Sequence, residues 1–478
     1  MTGLKTLSQR SLVIGATAGV GVLAAVEPRL ALGALLALAL SPIIYTYPQL
    51  VPAVLLAAPP FLHTALRAAG LGGTRTDVLV DPITFLPVLA LMFGLPLLRV
   101  VLDGQVTPGD FLRRGTMVRQ LLLWMLTLEA VLAVRTFNTL GPTYGLTKTV
   151  GFFAFSIAPV VLIFAVIRTV RDVEKFLSLT QLLGAAYLIQ QLFSGINAGQ
   201  LNFYAGNSIG GQALEQASSV PRASAGLLLI SLAMYLRRAG NRVRALVGAA
   251  LGAAGLLLSG QRGTILGVLA GAFAILLANI FFDNQFGQRR RRRGMAAIGA
   301  LAIGLVVAYS VAPGDLRDRY RDPFHSMSYE GRVTAQQLAW RGFDANPVFG
   351  QGTGASAVLI AGSDQQHFGI IRGLYPHNVI IELASELGLV GLVPYLAGIG
   401  TLLWGAIRRR RAGRWSVVAG LGLVVHAFVY SQGGADLTIA NDLWMFAALL
   451  AIACDAPDLS TDPESGHPLD ADVVLVGG

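Results

Sequence analysis

The chain contains one cysteine, Cys454, inside an apolar run. That excludes a disulfide framework and any cysteine-based metal site. Charge is also scarce, at 13% of 478 residues against 54% hydrophobic, a balance that excludes an ordinary soluble globular protein of this length. No repeat of fixed period is visible. No nucleotide loop is present either: Gly350-x-Gly352-x-Gly354 reads as a flexible turn and does not follow a strand. His325, His367 and His377 share one polar segment but lack metal-ligand spacing. The net charge of +10 fits a membrane protein that concentrates Lys and Arg in cytoplasmic loops, so no nucleic-acid partner is implied.

What the chain does have is apolar runs long enough for bilayer-crossing helices. They lie near 11–26, 29–47, 50–66, 82–101, 118–134, 150–168, 175–194, 220–237, 243–258, 263–282 and 295–312. Three more follow near 389–407, 415–431 and 438–454. The expected fold is all-α and polytopic, with about 12–14 transmembrane helices. Lys5 and Arg10 precede the first run as in a signal peptide, but that run leads straight into another span, so an uncleaved anchor is expected. The expected division is a bundle over 1–310, a large loop with helices over 311–388, three last spans over 389–454 and a disordered cytoplasmic tail over 455–478.

Basic loops set the orientation. Arg113, Arg114 and Arg119, then Arg168, Arg171 and Lys175, then Arg237, Arg238, Arg242 and Arg244 alternate onto one face. The 289–293 arginine run and Arg408–Arg411 with Arg414 join them. By the positive-inside rule that face and both termini are cytoplasmic. Segments Arg135–Thr149, Ile196–Ser219, Ser259–Gly263 and Val311–Tyr375 then lie outside. The long one should hold an amphipathic helix over Tyr329–Phe343, ended by Asn346-Pro347.

Function is to be sought at that outer edge. Pro376 keeps Tyr375 out of helical geometry, so a helix should start just after it with Asn378 as cap. Asn378, Glu382 and Ser385 then form a polar stripe at i, i+4 and i+7. His377 stands within reach of Glu382 or Glu386, and an imidazole oriented by a carboxylate is a usable base near neutral pH. Arg222 and Arg262 open apolar runs on the side where positive charge is disfavoured. An arginine at the centre of a membrane helix costs roughly 2.5–3.5 kcal/mol, less near the interface. Snorkelling, or pairing with a carboxylate such as Glu215, is the structural explanation. Binding of a phosphate-like anion is the functional one, since guanidinium forks match phosphate oxygens. An enzyme working outside has no access to ATP or nucleotide sugars, so its energy must arrive in a donor already carried across the membrane. A lipid-linked diphosphate sugar is such a donor, and it calls for cations, a greasy groove and a base.

These residues fall into a known pattern. Tyr329-Glu330-Gly331-Arg332, Trp340, Asn346-Pro347-Val348-Phe349-Gly350-Gln351-Gly352, Pro376-His377-Asn378 and Glu386-Leu387-Gly388-Leu389-Val390-Gly391 together resemble the O-antigen ligase and O-antigen polymerase superfamily. Ser259-Gly260-Gln261-Arg262-Gly263 upstream looks like that family's Ser-Arg-Gly turn, with Gln where Ser is usual. The resemblance covers about 250–391 and is looser at Arg222. It implies a C-type membrane glycosyltransferase in the bacterial inner membrane that requires neither metal nor cofactor. It implies an undecaprenyl-diphosphate-linked glycan donor, a glycan, glycolipid or protein acceptor, and transfer with inversion. By the same resemblance His377 is the base, and Arg262, Arg222 and Arg332 bind the diphosphate. Glu382 as the group orienting His377, with Asn378 and Glu386 in support, comes instead from helix geometry. Ligase, polymerase and protein O-glycosylation share these motifs. A transporter or flippase of lipid-linked sugars would also need external arginines, but no base, and its polar groups should lie near the midplane in repeated halves.

Overall fold

The computed structural model of the protein describes residues 47, 49–57, 115–197, 213–281, 299, 310, 327–361, 375–408, 414–434, 437 and 440–455. Over these the chain is an all-α, polytopic membrane protein. In order the helices are α1 (Leu50–Ala57), α2 (Thr116–Thr136), α3 (Pro142–Phe152), α4 (Ala158–Val166), α5 (Val170–Asn197), α6 (Ala213–Arg237), α7 (Arg242–Ser259) and α8 (Arg262–Phe281). Then come α9 (Met327–Ala345), α10 (Ala355–Ala361), α11 (Val379–Arg408), α12 (Trp415–Gly434) and α13 (Asn441–Asp455). Eight helices among the described residues are long and apolar enough to cross a membrane. The expected runs near 11–26, 29–47, 82–101 and 295–312, the 289–293 arginines, His325 and His367 lie outside the described residues.

Local chemistry explains the helix ends. Thr169 and Asp172 form a reciprocal cap at the start of α5: the Asp172 N–H donates to Thr169 Oγ1 (3.1 Å) and the Thr169 N–H to Asp172 Oδ2 (3.0 Å). Asn241 Oδ1 accepts the Val243 N–H at 2.8 Å to start α7, and Gly260, at φ 62°, ends it. Pro142 opens α3 at a position where its missing N–H is no loss. A π-helical turn, Phe153–Ile157, joins α3 to α4 just before Pro159. It supplies the slack that a helix-interior proline requires.

Much of the Arg135–Thr149 segment is helical. α2 runs through Arg135, only a short connection follows, and the next candidate span begins at Tyr144, so Lys148 is a helical residue.

Small residues let the helices approach closely, as membrane packing favours. On α7 a side chain at Gly252 would lie 2.8 Å from the Leu228 backbone nitrogen of α6. α2 lies beside α11, with Trp124 against Gly398 and Met117 against Gly405. At the end of the bundle where α2 begins, Asp455 Oδ2 accepts the Val118 N–H at 2.9 Å. α13 is shorter than the spans but buried along almost its whole length. Its Trp444 meets Phe152 and Tyr395 edge-on at 5.9 and 5.8 Å. A helix apolar on every side belongs at the centre, and this one is there.

Candidate active site

α11 does not begin where its membrane-crossing part begins. Gly388, at φ 62° and ψ −155°, interrupts its hydrogen-bond ladder. The break exposes the carbonyls of Ser385 and Glu386 and the amides of Leu389 and Val390. Left unpaired at membrane depth, each such group costs several kcal/mol. The Asn346–Gly352 motif supplies partners for all four. Gln351 N–H donates to Ser385 O (2.9 Å) and Gly352 N–H to Glu386 O (2.8 Å). Leu389 N–H donates to Pro347 O (2.9 Å) and Val390 N–H to Val348 O (3.1 Å).

The approach is so close that a Cβ on Gly350 would overlap the Glu386 backbone. Gly350, Gly352 and Gly354 all take positive φ. The expected flexible turn is therefore a fitted plug. Arg135 secures it from α2, donating from Nη2 to Gly350 O at 3.1 Å, while Thr353 Oγ1 donates to Leu132 O at 2.7 Å.

Just ahead of α11 stands His377, with φ 54°. A positive φ is uncommon outside glycine and points to a position the surroundings enforce. Its ring lies 4.1 Å from that of Tyr375, centroid to centroid. Asn378 caps the helix as its type and position suggest: its Oδ1 accepts the Ile381 N–H at 3.0 Å.

The named arginines and the His377 turn converge on the last turn of α12. Gln432 Oε1 accepts the Ile380 N–H at 3.2 Å, which fixes the His377 end of α11. The Arg222 guanidinium of α6 lies 5.5 Å from the Tyr430 ring centroid. Arg332 of α9 donates to Gly433 O at 3.1 Å. Gly263, the neighbour of Arg262, packs against Gly433, where an added Cβ would sit 3.7 Å away. Arg222, Arg262 and His377 are half-buried and Arg332 is exposed, so the group lies at a partly accessible edge.

Glu382 and Glu386 belong to a second cluster beneath this edge. Lys148 Nζ reaches Glu386 Oε1 at 2.6 Å and also bonds Glu382 Oε1. Ser356 Oγ donates to the same Glu386 oxygen, and Glu382 Oε2 accepts the Leu437 N–H at 3.1 Å. Lys148, Glu382 and Glu386 are all at most 1% exposed. Reading the sequence missed Lys148, which stands two residues before the apolar run near 150–168 and looks there like an ordinary residue of the segment between spans. It also passed over Tyr430 and Gln432, whose side chains matter only once α12 is brought beside α6 and α11.

Residues 247–396 match the family model described as O-antigen ligase. That stretch takes in Arg262, the plug, His377 and the broken part of α11. No curated protein matches the chain significantly. The matched segment, about a third of the chain, supports an O-antigen ligase- or polymerase-like membrane glycosyltransferase.

Proposed function

We propose that the protein transfers a glycan from an undecaprenyl-diphosphate carrier to an acceptor hydroxyl at the outer face of a bacterial cytoplasmic membrane. The observation that carries this reading is the meeting of α6, α8, α9 and the His377 turn at residues 430–433. It sets three guanidinium-bearing elements beside an imidazole held in an enforced conformation.

In the proposed step the acceptor oxygen attacks the anomeric carbon while His377 takes its proton. The bond from that carbon to the diphosphate oxygen breaks, and the electron pair leaves with polyprenyl diphosphate. Attack from the face opposite the leaving group inverts the configuration. Negative charge grows on the departing diphosphate, where Arg262, Arg222 and Arg332 stabilise it; fixed donors aimed at developing charge are the larger catalytic term. General-base assistance adds about 10²–10⁴-fold. The Tyr430 ring face holds Arg222 in place.

Proteoliposomes carrying a polyprenyl-diphosphate oligosaccharide and a candidate acceptor test the reading by release of polyprenyl diphosphate. Wild type should release it, whereas His377→Ala and Arg262→Ala should not. Donor that crosses the bilayer intact, with no release under any acceptor, would identify a transporter instead. An acceptor that is another copy of the repeating glycan would identify a polymerase using the same residues.

A further inference from the structure

Lys148 is the buried charged group that the proposed reaction leaves without a role. Its ammonium joins Glu382 and Glu386, which stand at i and i+4 on one face of α11. Two carboxylates so placed repel each other unless a cation lies between them. Burying such ions is a poor route to stability, because apolar side chains of similar volume do as well or better. Geometric specificity is the benefit that remains.

The break at Gly388 shows why specificity is needed here. It separates Val379–Leu387 from the membrane-crossing part of α11, leaving a short helix that is marginal by itself. Its orientation must come from groups outside it. Lys148 from α3, Ser356 from α10 and the Leu437 amide all attach through Glu382 and Glu386. The Asn378 cap then passes that orientation to His377: Asn378 O accepts the Glu382 N–H at 2.9 Å and Asn378 Oδ1 accepts that of Ile381.

We propose that Lys148 is a positioning residue for the transfer reaction. Through Glu382 and Glu386 it fixes the first turns of α11 and thereby aims His377. The proposal rests on the reading of His377 as the base. Glu382 accordingly acts through this clamp.

The test compares Lys148→Met, Glu382→Gln and Ser356→Ala with wild type in two measurements. The first is steady-state transfer, normalised to monodisperse protein. The turnover number should fall about 10-fold or more in Lys148→Met and less in the other two, with the KM for the donor changed by no more than about twofold. The second is hydrogen exchange without substrate. Amides of 379–388 should exchange about 10-fold faster in Lys148→Met while those of α12 stay as in wild type.

Should Lys148→Met fail to insert, Glu382→Gln and Ser356→Ala decide, since each removes one tie and leaves the ammonium paired. Unchanged turnover overturns the proposal. So does a loss confined to KM, or a uniform rise in exchange across all helices, which marks general destabilisation. If wild type transfers nothing to any acceptor, the transferase reading fails, yet exchange at 379–388 still shows whether Lys148 holds that turn.

Discussion

Two charged clusters lie within a few turns of each other at this end of the bundle, and they are built on opposite plans. Around Lys148 the ions are fully buried, and the carboxylates meet an ammonium, a hydroxyl and a backbone amide. Around the last turn of α12, Arg222, Arg262, Arg332 and His377 are half-buried or exposed, and their anchors are a ring face, a backbone carbonyl and a neighbouring ring. A saturated cluster holds helices. One at a partly accessible edge can meet a ligand. The same residue types thus serve as fastener in one place and as binding surface in the other, and burial is what separates them.

Substitutions should separate the two clusters in the same way. The largest effect expected is on turnover at the accessible cluster. His377→Ala should lower the turnover number about 10²–10⁴-fold with little change in thermal midpoint, as measured by release of polyprenyl diphosphate. Arg262→Lys should recover little of what Arg262→Ala loses, because a point charge does not reproduce a guanidinium fork. At the buried cluster the effect on turnover should be smaller, about 10-fold for Lys148→Met, and should come with faster amide exchange confined to 379–388. Gly388→Ala sets a side chain at φ 62° against the Val348 backbone. It should cost at least about 2 kcal/mol and loosen the plug, seen as faster proteolysis after Asn346. The smallest change is expected at the cap, where Asn378→Ala should cost about 1 kcal/mol.

Much of this architecture was legible before the structure. Apolar runs near 118–134, 175–194, 220–237, 243–258 and 415–431 coincide with helices because bilayer thickness imposes length on any span. The Asn378 cap and the α9 helix were legible for a local reason, since caps and amphipathic faces are written in neighbouring residues. Lys148 was not, because its partners are more than 200 positions away and a lysine near a span end looks like any loop lysine. The glycine triplet misled for a related reason. Its positive φ values were foreseeable, but whether such a turn is slack or wedged depends on Glu386 and Thr139, which it meets only in the fold. Arg222, Arg262 and Arg332 could be suspected singly from their unfavourable positions. Their common address at the end of α12 is a property of tertiary packing.

The central claim is that the accessible cluster divides its labour, with arginines holding the donor diphosphate and His377 acting on the acceptor. Binding of a polyprenyl-diphosphate oligosaccharide to purified His377→Ala tests it most directly. The account predicts a Kd within about twofold of wild type, with no transfer, and a Kd at least about 10-fold weaker for Arg262→Ala. Equal loss of donor affinity in both variants, or transfer that survives in His377→Ala, would contradict it.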